Sequence, residues 1–306
     1  MRKAFLEELL ALAQEDDRIF LLTGDLGWSV VEEFAARRPR RFLNAGVAEA
    51  NMAGLATGLA QAGFVPFIYS IATFSSMRCY EQVRNGALLH HLPVRIVGIG
   101  GGFAYGHAGP THYAVEDLSI ARTQPGMTVL APADPAQARS ALRATVSLPG
   151  PAYLRIGKGG NPPVPGLDGR FALGRPEVVR EGGDVLFLAC GTIVHEALAA
   201  ARLLEPEGIA AAVAVLAHLG FAASPDLVGL LGRYRAVVTV EDGYAAGGLG
   251  SLAAEAIAQN GLPARLAIRG VDRPFGAETG GEAYMRAQAG LDATALADAA
   301  RALVAR

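Results

Sequence analysis

Cysteine is nearly absent from this chain. Of its 306 residues two are cysteine, Cys79 and Cys190, which stand far apart and fit no metal-ligand spacing. A reducing cytoplasm is therefore the expected compartment, and no metal ligands are expected in the chain itself. Excess charge is missing too: the formal net charge is -2, and the strongest basic cluster is the short ARRPRR at 36–41. That cluster reads as a solvated helix end and turn ahead of a strand at Phe42, so neither a nucleic-acid nor a membrane-surface role is expected. No stretch approaches the ~20 uninterrupted apolar residues of a membrane span. The opening MRKAFLEELLALAQEDDR is amphipathic and carries acids, unlike a secretory signal. Neither internal repeats nor low-complexity tracts occur.

What is present is apolar residue in quantity, 51% of the chain, over a length sufficient for two ordinary domains. Short β-rich runs alternate with helical patterns: RIFLLTG (18–24), VPFIYSI (65–71), VRIVGIG (94–100), MTVLAPA (127–133) and AYLRIG (152–157). Between 157 and 183 the alternation lapses into a glycine- and proline-rich stretch read as a linker. It restarts with DVLFLACG (184–191), AAAVAVLA (210–217), AVVTVED (236–242) and ARLAIRGV (264–271), with helical stretches such as 193–204 between them. The pattern predicts an α/β protein of two domains, residues 1–160 and 184–306 joined by a linker at 161–183, each with a largely parallel sheet flanked by helices.

One segment carries most of the chemical information. GVAEANMAGLATGLA (46–60) sets a lone carboxylate, Glu49, where an extended run gives way to a helix. Met52, Leu55, Ala56 and Leu59 follow at helical spacing, while Gly54 and Gly58 each weaken an isolated helix by about 1 kcal/mol relative to alanine and suggest close backbone packing. The nearest basic residues in sequence are Arg40 and Arg41, so burial there would favour a protonated carboxyl able to share its proton with a bound heterocycle. The bland alternative is a solvated glutamate in a first helical turn.

GVAEANMAGLATGLA resembles the segment that carries the cofactor-activating glutamate in the pyrimidine domain of transketolases and related thiamine diphosphate enzymes. Further blocks follow in that family's order: MRKA at the start, TGDLGWS (23–29), TFSSMRCYEQVRN (73–85), GPTHYAVEDL (109–118), PGMTVLAPAD (125–134) and VVTVEDGYAAGGLGS (237–251). The resemblance implies a pyrimidine-binding domain followed by a transketolase C-terminal domain. Within it Glu49 matches the carboxyl that engages the cofactor's ring nitrogen, Phe74 the stacking aromatic and Tyr80 another aromatic of the pocket. Met77 stands where many relatives have a second phenylalanine. His112, in GPTH, matches a histidine near the reacting carbons, whose titration suits proton transfer to a sugar hydroxyl or carbonyl. Asp25, Ser29 and Arg2 match positions lining the cofactor and the phosphate end of the substrate channel. Lys158 falls where relatives carry a phosphate-gripping arginine, keeping the charge but losing the fork.

The family's GDG motif, which with a following asparagine holds the diphosphate and a divalent metal, has no counterpart here. Half an enzyme is therefore expected, with thiamine diphosphate and Mg2+ or Ca2+ held through an N-terminal partner subunit in an α2β2 assembly. Gly100 and Gly101 replace a His-Asp pair, Ala108 replaces an aspartate that reads the substrate's C2 hydroxyl, and His107 replaces an acid. Lost hydrogen-bonding partners change discrimination, so a substrate other than the standard pentose phosphates is expected, with Tyr105 and His107 supplying replacement contacts. His195 and His218 are expected to be structural. The leading expectation is a subunit of a split transketolase moving a two-carbon ketol unit between sugars. The β subunit of a 2-oxo acid dehydrogenase, which also lacks the diphosphate domain, and a non-catalytic scaffold are the alternatives.

Overall fold

A computed structural model describes residues 1–274 and 276–305. The first half runs α1 (Arg2–Glu15), β1 (Ile19–Thr23), α2 (Glu32–Arg37), β2 (Phe42–Asn44), α3 (Glu49–Gln61), β3 (Val65–Ile71), α4 (Tyr80–Gln82), β4 (Arg95–Ile99), α5 (Asp117–Arg122), β5 (Thr128–Leu130), α6 (Pro135–Val146) and β6 (Ala152–Ile156). The second runs β7 (Glu177–Arg180), β8 (Val185–Cys190), α7 (Val194–Leu204), β9 (Ala211–Val215), β10 (His218–Leu219), α8 (Pro225–Leu231), β11 (Ala236–Tyr244), α9 (Leu249–Gln259), β12 (Arg265–Val271), α10 (Glu282–Gln288) and α11 (Ala293–Val304).

Two sheets result, a seven-stranded one ordered β10-β5-β6-β4-β3-β1-β2 and a five-stranded one ordered β12-β11-β8-β9-β7. Pairing is parallel except for β10 against β5 and β7 against β9. The expected α/β class with two largely parallel sheets flanked by helices is what the chain adopts. Central strands such as β3, β8 and β9 are buried at every position, so they read as unbroken apolar runs rather than alternating ones. Helix α1 closes one face of the first sheet with Phe5, Leu6, Leu9, Leu10 and Ala13. Several helices start on side-chain caps: Asp134 accepts from Gln137 N ahead of Pro135, and Ser224 from Leu227 N ahead of Pro225.

Two strands lie where no β pattern was visible. Strand β7 falls inside the segment read as a linker and forms an edge of the second sheet. Strand β10 leaves the second half to pair antiparallel with β5, His218 facing Leu130 and Leu219 facing Val129, so the first sheet is completed by chain from beyond residue 183. Below it, a buried arginine ties the halves together. Arg155 on β6 donates to both oxygens of Asp117, to the Ala114 carbonyl at 2.9 Å and to the Asp242 carbonyl on β11 at 3.0 Å. Tyr153 adds its hydroxyl to the same aspartate at 2.6 Å.

All parallel strands of the first sheet point their C-terminal ends to one edge, where ligands bind in folds of this type. The loops that follow β1, β3, β4 and β6 therefore converge there.

On β10, burial holds the His218 imidazole well below its ordinary range, at about 4, and its Nδ1 has no partner among the described residues. The folded chain thus refuses a proton that the unfolded chain accepts below about pH 6.5, so this group subtracts stability as pH falls from 6.5 through 4. The stability difference between wild type and His218→Asn, followed by urea unfolding, is expected to be pH-independent above 6.5 and to shift in favour of the variant on acidification to pH 4.

Candidate active site

Glu49 is the first residue of α3 and is 2% exposed. Its Oε1 accepts from the hydroxyl of Ser70, a fully buried residue of β3, at 3.1 Å, and its Oε2 from Nη1 of Arg78 at 3.2 Å. Gly24, just past β1, makes room for the carboxylate, since a Cβ there would sit 3.3 Å from Oε1. The neighbouring turn is fixed by Thr23, whose hydroxyl donates to the Leu26 carbonyl at 2.6 Å.

The chain leaves β3 into a π-helical turn, Phe74–Arg78, a widened geometry frequent at functional sites. It places the Arg78 guanidinium 3.9 Å from the Phe74 ring centroid while the same group pairs with Glu49. The other side of the cluster is His112, whose ring meets Phe74 edge-on at 5.4 Å and whose Nδ1 is 2.8 Å from the Thr111 hydroxyl. Met77 is 39% exposed beside them in sequence. The Tyr80 hydroxyl is committed to α5, donating to the Ile120 carbonyl at 3.2 Å and accepting from Gln124.

A second cluster gathers the chain's start and the loops after β4 and β6. The Met1 sulfur lies 3.2 Å from the Gly157 amide, and Lys158 Nζ stands 4.2 Å over the Tyr105 ring. Burial raises the Tyr105 phenol above its ordinary range, opposed by the positive field of Arg2. The same cation acts on Tyr69 of β3, a buried phenol whose hydroxyl has no partner among the described residues. Asp25 and Ser29 hold left-handed backbone in the loop after β1, at φ +59° and +69°. Asp25 exchanges hydrogen bonds with Asn44, and the Ser29 amide donates to Glu32 at 2.8 Å, while Trp28 between them is 68% exposed. His107 is exposed and faces Gly281 of the second half.

The loop after β4 leaves no room for side chains at Gly100 and Gly101, the positions read as replacing a His-Asp pair. A Cβ at Gly100, which holds φ +72°, would meet the Tyr105 ring at 2.3 Å, and one at Gly101 would meet Arg155 Nε at 2.1 Å. Those spaces are filled by a phenol and a guanidinium. The loop closes on itself through Gly102 and Ala114, whose amides donate to each other's carbonyls at 2.6 and 2.9 Å.

Two residues of the carboxylate's environment escaped the sequence pattern, Ser70 and Arg78, which lie 21 and 29 positions from Glu49. Arg40 and Arg41, its nearest cations in sequence, are not its partners. The available signal was Arg78 itself inside the TFSSMRCYEQVRN block. The close packing read from Gly54 and Gly58 is not found within the chain: both are exposed, and a Cβ at either would meet nothing within 4 Å. Among the described residues no cluster of three or more His, Cys, Asp or Glu could hold a metal ion, and no helix is long and apolar enough to cross a membrane.

At the C-terminal sheet edge a buried carboxylate thus pairs with Arg78, whose guanidinium lies over the Phe74 ring, and that ring in turn meets the imidazole of His112. Residues 1–162 match the transketolase pyrimidine binding domain and residues 174–295 the transketolase C-terminal domain, so the chain belongs to the transketolase family. It is 38% identical over 307 residues to the 6-deoxy-6-sulfo-D-fructose transketolase subunit SqwH of Clostridium sp. (strain MSTE9), covering all of this chain and 95% of that one. It is 33% identical over 267 residues to one of the subunits of the apulose-4-phosphate transketolase of Phocaeicola vulgatus, covering 87% of this chain and 86% of the relative. Among solved structures, a split-gene transketolase described as an inactive beta4 tetramer superposes with a TM-score of 0.88 at 36% identity, over 99% of this chain and 98% of that one. The chain is thus a transketolase-type subunit of the kind that works with a partner, and its family uses thiamine diphosphate.

Arg155 is pinned by its bonds to Asp117, Ala114 and Asp242 and cannot yield to a side chain at Gly101. Gly101→Ala is expected to destabilise the protein by about 1–3 kcal/mol, as overpacking does in a tight interior. A shifted denaturant midpoint with an unchanged slope checks it.

Proposed function

We propose that this chain supplies the pyrimidine half of a thiamine diphosphate site in a two-chain transketolase, and that the assembled enzyme transfers a two-carbon ketol unit from a ketose donor to an aldose acceptor. The observation that carries this reading is Glu49, buried at the C-terminal sheet edge within the cluster of Phe74, Arg78 and His112. When bound, the cofactor supplies the acidic thiazolium carbon and the electron sink, while the protein binds, orients and tunes.

Glu49 holds the proton shared with the ring nitrogen, with Ser70 fixing the carboxylate's orientation. Phe74 and Met77 cover the ring's faces, a task methionine can perform in place of an aromatic. Tyr80 anchors that segment to α5, and Asp25 lines the approach to the ring. His112, held by Thr111, moves a proton at the sugar hydroxyl or at the carbonyl that becomes one. Arg2, Ser29 and Lys158 receive the anionic end of the donor. The diphosphate and its Mg2+ or Ca2+ belong to an N-terminal partner subunit, in an α2β2 assembly in the cytoplasm. Two buried free cysteines are consistent with that compartment.

Substrates outside the standard pentose phosphates are favoured by the rebuilt loop after β4. Tyr105 fills the space beside Gly100, His107 replaces an acid, and Ala108 offers no carboxylate to a C2 hydroxyl. The relatives named for a sulfofructose and for apulose phosphate support the same direction.

The test is ketol transfer by the chain co-purified with a diphosphate-binding partner, given thiamine diphosphate, Mg2+ and a panel of ketose donors. Turnover is expected only from the pair, and Glu49→Gln is expected to lower kcat by at least about a hundredfold, the scale of a lost proton-transfer group. Undiminished turnover in Glu49→Gln would remove the glutamate from the chemistry.

A further inference from the structure

Both oxygens of the Glu49 carboxylate are already engaged, and the two partners differ in kind. Ser70 is fully buried on a central strand and cannot withdraw. Arg78 lies at the end of the π-helical turn with its side chain 48% exposed, so its guanidinium can leave without opening the core. That guanidinium makes two contacts at once: it donates to Glu49 Oε2 at 3.2 Å and lies 3.9 Å from the Phe74 ring centroid. A planar cation that donates to a carboxylate and lies against an aromatic ring makes the two kinds of contact a protonated aminopyrimidine would make.

We propose that Arg78 is a displaceable gate on the pyrimidine pocket: its guanidinium occupies the carboxylate and ring contacts an aminopyrimidine needs, and it swings outward before the cofactor's ring can dock. The inference rests on the proposed role of Glu49 and adds a residue whose removal strengthens binding rather than weakening it. Gating costs the cofactor the free energy of a half-exposed ion pair and a cation–π contact, both modest in magnitude, so the gate is weak enough to open. It keeps the buried Glu49 charge compensated whenever the ring is not docked.

Calorimetric titration of thiamine diphosphate into the two-chain complex, at fixed Mg2+, decides the matter with wild type, Arg78→Met and Arg78→Lys. Arg78→Met is expected to bind about fivefold to tenfold more tightly and to associate faster. Arg78→Lys, which keeps the charge but loses the planar guanidinium, should fall between. In a Glu49→Gln background the gain from Arg78→Met should shrink, because the ion pair is already gone. Unchanged or weaker binding in Arg78→Met overturns the gate. Should that variant fail to assemble, Arg78→Lys decides alone, tighter binding supporting the gate and equal or weaker binding overturning it. Absence of saturable binding in the wild-type complex would overturn the pyrimidine site itself, and the gate with it.

Discussion

The buried guanidinium of Arg155 is the constraint on which the rest of the architecture turns. It is 7% exposed, and its main partner Asp117 is fully buried. Such a pair gains little net stability over an apolar replacement, because desolvation offsets most of the Coulomb attraction. Its consequence is specificity of placement. A charge that cannot be left unpaired forces Asp117 at the start of α5, the Ala114 carbonyl and the Asp242 carbonyl of β11 to meet at one point. The loop after β4 is thereby held from beneath at Ala114, two residues past His112. Gly101 must remain small because Arg155 lies in the space a Cβ would take. The position of the second domain against the first follows from the same contact, reinforced by β10 and by Arg122, which reaches the Gly220 and Gly247 carbonyls at 3.2 Å and pairs with Glu255.

Glu49 follows the opposite logic. Its burial would be costly without a partner, yet the charged partner it has is half exposed and borne on a π-helical turn rather than on a strand. One contact is permanent and one can be exchanged. A carboxylate arranged in that way suits a ligand that brings its own donor, whereas the Arg155 pair, saturated on every side, suits only structure. The ion pairs of Arg155 and of Glu49 thus differ in how many of their partners can leave.

Much of this was legible in the residues. The central strands of both sheets appear as apolar runs because their two faces are buried, and α1 shows its apolar face plainly. Glu49 stood out because a lone carboxylate sat among apolar residues at a strand-to-helix junction. Strand β10 was invisible because two residues give no periodicity, and β7 was hidden by the glycine and proline around it. Ser70 and Arg78 were missed for a different reason: proximity in sequence is a poor guide to a partner delivered by a parallel sheet, where neighbouring strands bring distant residues to one edge. Tyr105 illustrates the same limit. The reading of Gly100 and Gly101 as substitutes for a His-Asp pair needed only the sequence, but only the fold reveals that a phenol and an arginine fill the space beside them.

Glu49, at the C-terminal edge of the first sheet, is proposed to meet the nitrogen-bearing ring of a cofactor whose other end is held by another chain. A crystal structure of the two-chain complex with thiamine diphosphate tests it most directly. The expected result is a Glu49 carboxylate oxygen within hydrogen-bond distance of the pyrimidine ring nitrogen, with the diphosphate on the partner. A ring bound away from Glu49, with that carboxylate still holding Ser70 and Arg78, would contradict it.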